Sequence, residues 1–300
     1  MKIKKIIHSA CDLTISTWQS LQKQSPSYFN QFAVIFVDEA HGAAAKVLTE
    51  IIGNATDVYH RFGFTGTLQD SKTHELVLQG LFGKIFQTTT TAELIENGYA
   101  SPFKVKAIIL HYPEDDRKLV SKMDYADEYN YIIAHNGRMR FIRNLALSLE
   151  GNTLIFVNNR DTHAIPLFDE INSNIKGNRK VHLIHGKIDA DVVEEVRALI
   201  ETVDNDIIVA TYKKLSTGSN FKKLHNIIFA SPTKAKITVL QSIGRTLRLA
   251  IGKDVATLFD VVDDLSWKKK INYTLRHFKE RLEMYINECF TYKIYNVDLK

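Results

Sequence analysis

At 300 residues, with 45% hydrophobic and 24% charged positions, the chain has ordinary globular composition and is long enough for about two domains with separate cores. No apolar run approaches the roughly 18 to 20 residues that span a bilayer, and the opening MKIKKIIHSACDL turns polar too early for a signal peptide, which argues against membrane classes and for a cytoplasmic location. The net charge is +5, most of it in the tail, and the two cysteines, Cys11 and Cys289, lack ligand spacing, which excludes a thiolate zinc cluster and fits a reducing compartment.

In chain order, residues 13 to about 91 read as strand, loop, strand, helix, strand, helix. LTISTWQSL reads as a strand running into a turn, AVIFV as the next strand, AAKVLTEII as a helix, and HRFGFTGTL as a short strand ending in small hydroxyl residues. The tract TTTT at 88–91 is a polar joint, and AELIENGYASP, with its Gly and then Pro, marks a linker over 93–104. Alternation then restarts with FKVKAIILHY as a strand and residues 125–149 as one long helix. NTLIFV, KVHLI, DIIVAT, NIIFA and ATLFDVV follow as strands, with HAIPLFDEI, DVVEEVRALIE and KITVLQSIGRTLRL as helices between them. Asp191 and Glu194 have the spacing of a capping box. Strands alternating with helices predict parallel sheets with right-handed crossovers.

The tail, residues 266–300, holds eight Lys or Arg against four Asp or Glu, a balance of +4. A basic excess beside aromatic residues is compatible with a nucleic-acid surface. Leu275, Phe278, Leu282, Tyr285 and Cys289 recur at spacings of three and four, so an amphipathic helix docking on its own protein is the expectation.

Three stretches carry candidate chemistry. In FAVIFVDEAHGAA, an apolar run that reads as a strand covered on both faces leads into Asp38, Glu39 and His41. Ligands of parallel sheets sit beyond the carboxyl ends of the strands, so the acids are placed either for chemistry or simply where a strand meets solvent. In QSIGRTLR, Gln241, Arg245 and Arg248 are spaced by four and three and share one helix face. That face suits a polyphosphate, since guanidinium groups match phosphate oxygens, and it equally fits a solvated basic surface. VATYKKLSTGSNF places hydroxyls, lysines and Gly218 after a strand, where amides and hydroxyls can hold a phosphodiester backbone.

Taken in order, these motifs resemble those of the superfamily 2 helicases. STWQS is similar to the DNA-contacting motif ahead of the ATPase acids, and VDEAH to motif II. GFTGTL resembles motif III, LIFVNNRDTHA motif IV, VATYKKLSTGSNF motif V and QSIGRTLR motif VI. Within the superfamily, LFGKIF, Thr17-Trp18-Gln19, VLQSIGRTLR and the tail after DVVDDL resemble phage helicases of recombination and repair that act on branched DNA and R-loops. The resemblance runs from about residue 10 to the C-terminus.

It implies two RecA-like parallel-sheet domains, the first (1–92) truncated at its N-terminus and the second spanning 105–265, followed by a helical basic tail (266–300). It also implies ATP and Mg2+ as cofactors and DNA, not read by sequence, as partner. Asp38 is then the magnesium-associated acid and Glu39 the residue that activates water. Arg245 and Arg248 act as arginine fingers supported by Gln241, and Gly218 lies near the nucleotide. His41, Thr65, Gly66 and Thr67 couple nucleotide state to DNA grip. Thr17, Gln19, Thr211, Ser216 and Thr217 lie near the DNA backbone. Ser219 and Asn220 stand where many relatives carry an acid.

A P-loop string, G-x-x-x-x-G-K-[ST], does not occur in the 300 residues, and 37 residues precede Asp38. The expectation is a motor that needs a P-loop part, with a separate N-terminal helicase chain as the partner that would carry it. The alternatives are a non-catalytic DNA- or partner-binding remnant and the motor part of a restriction enzyme subunit.

Overall fold

The computed structural model describes residues 13–44, 46–66, 72–99, 102–215, 221, 223–231 and 255–299. The chain divides into two compact units, Met1–Thr88 and Thr89–Lys300, with the division inside the tract of threonines.

The first unit contains α1 (Trp18–Leu21), β1 (Val34–Val37), α2 (Lys46–Asn54), β2 (His60–Gly63) and α3 (Lys72–Phe82). LTISTWQSL does not form the expected strand. Thr17 is extended and its carbonyl accepts the Ser20 and Leu21 amides, so the chain turns into α1, and among the described residues no ladder runs along 13–17. β1 and β2 pair in parallel, Val34 opposite His60 through Val37 opposite Gly63. Ile35 packs on Phe29, Ile51 and Val58, and Val37 on Ile52 and Leu78. On the other face Phe36, Phe62 and Phe64 are exposed, no described residue covers them, and the Phe36 ring stacks on Phe62 at 5.4 Å and on Phe64 at 6.0 Å. A strand covered on both faces is therefore not what β1 forms among the described residues.

The second unit contains α4 (Thr91–Glu96), β3 (Phe103–His111), α5 (Glu114–Val120), α6 (Tyr125–Ala134), α7 (Asn136–Ser148), β4 (Thr153–Val157), α8 (Ile165–Asn172) and β5 (Val181–Ile184). After these come α9 (Ala190–Ile200), β6 (Ile207–Thr211), α10 (Tyr212–Leu215), β7 (Asn226–Phe229), β8 (Ala256–Asp264), α11 (Tyr273–Asn287) and β9 (Thr291–Asp298). All seven strands are parallel, in the order β5-β6-β4-β7-β8-β3-β9. Both faces are covered. Along β4, Leu154 and Phe156 join a core with Val193 and Ile200 of α9 and Tyr285 of α11, while Ile155 and Val157 join one with Ile132, Ile142 and Leu167 of α6, α7 and α8.

Several local expectations change here. The linker is partly helical, because Thr90 and Glu93 form a reciprocal capping box, with Glu93 N–H donating to Thr90 Oγ1 at 3.2 Å and Thr90 N–H to Glu93 Oε2 at 2.8 Å. Asp191 and Glu194 form none: Asp189 is the N-cap, so both acids lie inside α9, and Glu194 accepts from Arg197 instead. The single helix over 125–149 is two, broken where His135 leaves helical geometry and its Nδ1 accepts the Arg138 amide at 3.2 Å.

The tail helix docks on its own unit as expected. Its first amides, Tyr273 and Thr274, donate to the buried Glu128 carboxylate at 3.0 and 2.7 Å, and Arg281 makes a two-pronged buried pair with Asp260 at 2.9 and 2.8 Å. The residues after the helix form β9, which adds to the sheet edge beside β3. Its side chains are almost all exposed, which leaves no burial pattern for a sequence reading to detect.

Candidate functional site

In the first unit, Asp38 and Glu39 directly follow β1, and Phe64, Thr65 and Gly66 directly follow β2. Because the strands are parallel, both stretches leave the same sheet edge. Backbone bonds fix the junction: Phe64 N–H donates to the Val37 carbonyl and Ala40 N–H to the Phe64 carbonyl, each at 2.9 Å. Glu39 is held in the left-handed region at φ 52°, a conformation that non-glycine residues adopt only where the surroundings require it. Its amide donates to Asp38 Oδ1 at 2.9 Å, which orients the Asp38 carboxylate. His41 Nδ1 meets Thr65 Oγ1 at 2.9 Å and Glu39 Oε2 at 3.2 Å, so one ring nitrogen joins the acid after β1 to the hydroxyl after β2. Gly63 permits this closeness: a Cβ there would stand 2.9 Å from Ala40 Cβ and 3.0 Å from the Phe82 ring.

Among the described residues, no group of three His, Cys, Asp or Glu is placed to hold a metal. A single exposed carboxylate such as Asp38 nevertheless fits Mg2+, which keeps several waters and takes one or two carboxylates beside nucleotide phosphates. Thr17 and Gln19 are exposed at the start of α1.

In the second unit, the parallel strands present their carboxyl ends along one edge. Asn158, Asn159 and Arg160 follow β4, His185, Gly186 and Lys187 follow β5, and Tyr212, Lys213 and Lys214 follow β6. Asn158, Asn159, Lys187 and Lys213 are exposed, whereas Thr211, expected near a DNA backbone, ends β6 with only 5% of its surface accessible. The sequence reading placed Asn158, Asn159 and Arg160 within motif IV without giving any of them a role, and it singled out none of the residues after β5.

Beneath this edge, Ser231 Oγ meets His163 Nδ1 at 2.8 Å, the Tyr129 hydroxyl at 3.2 Å and the Asn158 amide at 3.1 Å, tying the loop after β4 to the end of β7. Burial, helped by the nearby Arg138 charge, pushes the His163 pKa down to about 3, so the ring is neutral. Burial and the Arg160 guanidinium likewise hold His185 below the ordinary histidine range. Thr67, Ser216, Thr217, Gly218, Gln241, Arg245 and Arg248, with the helix expected over KITVLQSIGRTLRL, lie outside the described residues.

The family model described as helicase conserved C-terminal domain matches residues 137–250, and that of the type III restriction enzyme res subunit matches residues 2–70. The ATP-dependent DNA helicase uvsW of Enterobacteria phage T4 is 32% identical across 96% of this chain and 59% of its own length. Its crystal structure superposes with a TM-score of 0.58 at 31% identity, covering 94% of this chain and 57% of that one. The chain belongs to the superfamily 2 helicases.

The helicase fold extends to more distant relatives. A putative helicase from a Sulfolobus islandicus filamentous virus is 24% identical across 80% of this chain and 45% of its own length. The ATP-dependent type ISP restriction-modification enzyme LlaBIII, solved bound to DNA, superposes with a TM-score of 0.66 at 15% identity, over 94% of this chain and 23% of that one, a likeness of fold alone. The chain spans about half to three fifths of the helicase relatives just described, 59% and 45% of their lengths. No helix among the described residues is long and apolar enough to cross a membrane.

Proposed function

We propose that this chain forms part of an ATP-driven DNA motor, acting on branched DNA or R-loops in phage recombination, repair or replication, with its P-loop supplied by polypeptide outside these 300 residues. The observation that carries the reading is the Glu39, His41 and Thr65 junction, which joins the two strand ends of the first unit through one imidazole nitrogen. The resemblance to a phage ATP-dependent DNA helicase supports it.

In this reading, bound ATP with Mg2+ supplies the phosphoanhydride whose hydrolysis drives movement. Asp38 holds the ion-associated side of the nucleotide, its carboxylate oriented by the Glu39 amide. Glu39 orients the attacking water and accepts its proton. A shift of the Glu39 carboxylate is felt at Thr65 through His41, which gives Thr65, Gly66 and Thr67 a route to relay nucleotide state. Arg245 and Arg248, with Gln241 beside them, neutralise charge on the transferring phosphoryl group, and Gly218 lies by the nucleotide. Thr17 and Gln19 in the first unit, and Thr211, Ser216 and Thr217 in the second, work on the sugar-phosphate backbone. The exposed residues after β4 and β5 extend that surface. Contacts of this kind grip without reading sequence, so affinity falls with salt.

The test is DNA-stimulated ATPase of the chain alone and combined with a P-loop-bearing segment of the T4 relative. Turnover only in the combination, reduced about 10²- to 10⁴-fold by Glu39→Gln, is the expected result. Turnover by the chain alone defeats the need for a P-loop part, and DNA binding without turnover in either sample makes the protein a binding remnant. The restriction-enzyme matches favour a second reading, the motor part of a restriction enzyme subunit. Duplex-length-dependent ATPase with indifference to branch points distinguishes it.

A further inference from the structure

The carboxyl edge of the seven-stranded sheet does not end at the helicase motifs. The loop leaving β8 carries Lys268, Lys269 and Lys270 in succession, all exposed. It is a built loop. Trp267 and Lys270 exchange backbone hydrogen bonds of 3.0 Å in both directions, Lys268 sits in the left-handed region at φ 52°, and the buried Asn272 side chain closes the base by accepting from the Leu265 amide at 3.0 Å and donating to the Asp263 carbonyl at 3.1 Å.

Aromatic faces organise further cations around it. The Arg276 guanidinium lies 4.5 Å from the Tyr273 ring centre, the Arg117 guanidinium 5.9 Å from the Trp267 ring, and Lys270 Nζ donates to the Ser121 carbonyl at 2.6 Å. The neighbouring carboxylates are already engaged: Glu128 caps α11, and Asp264 accepts the Ser266 amide at 3.0 Å and faces His111 at 3.3 Å. Adjacent lysines repel one another, and a polyanion removes that repulsion and gains the release of its own counterions.

We infer that the loop Ser266–Asn272, with Arg276 beside it, is a second contact for the phosphate backbone of a nucleic acid, at the same end of the sheet as the loops after β4, β5 and β6. This rests on the nucleic-acid motor reading above. Nucleic acid is favoured over an acidic protein because every strand is parallel, so this loop leaves the same edge as the helicase motifs that follow β4 and β6. From β6 to β8 the sheet spans β4 and β7, about 14 Å across at the usual strand spacing. β8 runs on to Asp264, past Asp260, the partner of Phe229 at the end of β7, which adds roughly 10 Å along the strand, so the two loops are about five nucleotides of helical rise apart. The contact lengthens the footprint and carries no base information.

The test uses the full chain and a fluorescently labelled 30-nucleotide single strand, titrated by anisotropy between 50 and 200 mM salt. The variant Lys268→Gln/Lys269→Gln is compared with Lys176→Gln/Lys180→Gln, an equal charge loss at the opposite edge, just ahead of β5. The loop variant is expected to lower the slope of log affinity against log salt by about 1.4 and to bind roughly tenfold more weakly near 0.1 M, while the control matches wild type. Unchanged slope and affinity in the loop variant overturn the inference and leave an acidic protein as the partner of these lysines. An equal loss in the control also overturns it, since net charge alone then accounts for the effect. A wild-type chain that does not bind the strand defeats the motor reading and the loop contact together, whereas binding by wild type with no loop effect defeats the loop contact alone.

Discussion

Two tetrapeptides of nearly the same sequence, Val34-Ile35-Phe36-Val37 in β1 and Leu154-Ile155-Phe156-Val157 in β4, end in opposite states. Phe36 is 63% exposed and Phe156 1%. Both form parallel strands, and both lead into polar loops that resemble helicase motifs. The difference is in their neighbours. β4 lies between β6 and β7, with helices on each face, whereas among the described residues β1 has β2 for a neighbour and helices on one face. A buried Phe contributes about 1.5–3 kcal/mol relative to an exposed one, so the first unit forgoes that gain at Phe36, Phe62 and Phe64. An aromatic face left open in this way is where an additional layer of an α/β sheet is expected to pack.

The comparison can be broken most severely from the second unit. Asp263→Ala removes the partner of the buried Arg138, whose two hydrogen bonds of 2.7 and 3.1 Å, with a third from the Tyr112 hydroxyl at 2.8 Å, anchor α7 to β8. A loss of about 3–5 kcal/mol is expected in denaturant unfolding, because a charge is left buried and unpaired.

Acid attacks the same unit. His163 is neutral when folded, with its pKa lowered from 6.5 to about 3, so the unfolded chain takes up the proton first as pH falls. Its contribution is complete above pH 6.5 and is lost progressively between pH 6.5 and about 3, on the order of a few kcal/mol, and a His163→Gln variant should flatten that part of the stability curve.

In the first unit, Gly63→Ala drives a methyl into Ala40 and Phe82 beneath the acidic junction. A cost of about 1–3 kcal/mol is expected, seen as faster proteolysis within residues 13–88 and unchanged protection of the second unit. Thr90→Ala opens the capping box at the start of the second unit and should cost about 1 kcal/mol, while Asp191→Ala, inside α9 and not capping, should stay within about 0.5 kcal/mol. Smallest of all, Phe62→Thr on the bare face should change stability by less than about 0.5 kcal/mol and reduce dye binding to exposed apolar surface. A large destabilisation there shows that the face is covered in solution.

Much of the site is legible in the order of residues along the chain. Asp38, Glu39 and His41 follow a strand recognisable by its apolar run, and Thr65 and Gly66 end another. What pattern cannot show is that the chains after β1 and β2 meet, with His41 touching both Glu39 and Thr65. The residues after β4 and β5 are as visible in sequence as those after β1. Those after β4 are read as a motif without individual roles and those after β5 are not singled out, because asparagine, histidine and lysine after a strand carry no chemistry until parallel register lines them along one edge. The breaks are hidden for local reasons: His135 interrupts a helix by capping the next one with its own side chain, and β9 shows no burial period because nearly all its side chains face solvent.

The sequence by itself determined the order and kind of most elements, the parallel arrangement, the family and the position of the acids, because periodicity and turn chemistry act over a few residues and survive without neighbours. Only the tertiary structure decided which apolar strands are buried, which carboxylates become helix caps or ion pairs, and which lysines gather around a built loop. Those properties belong to pairs of residues far apart in the chain. Burial and charge pairing depend on what else arrives, as Phe36 and Phe156 record in the same local sequence.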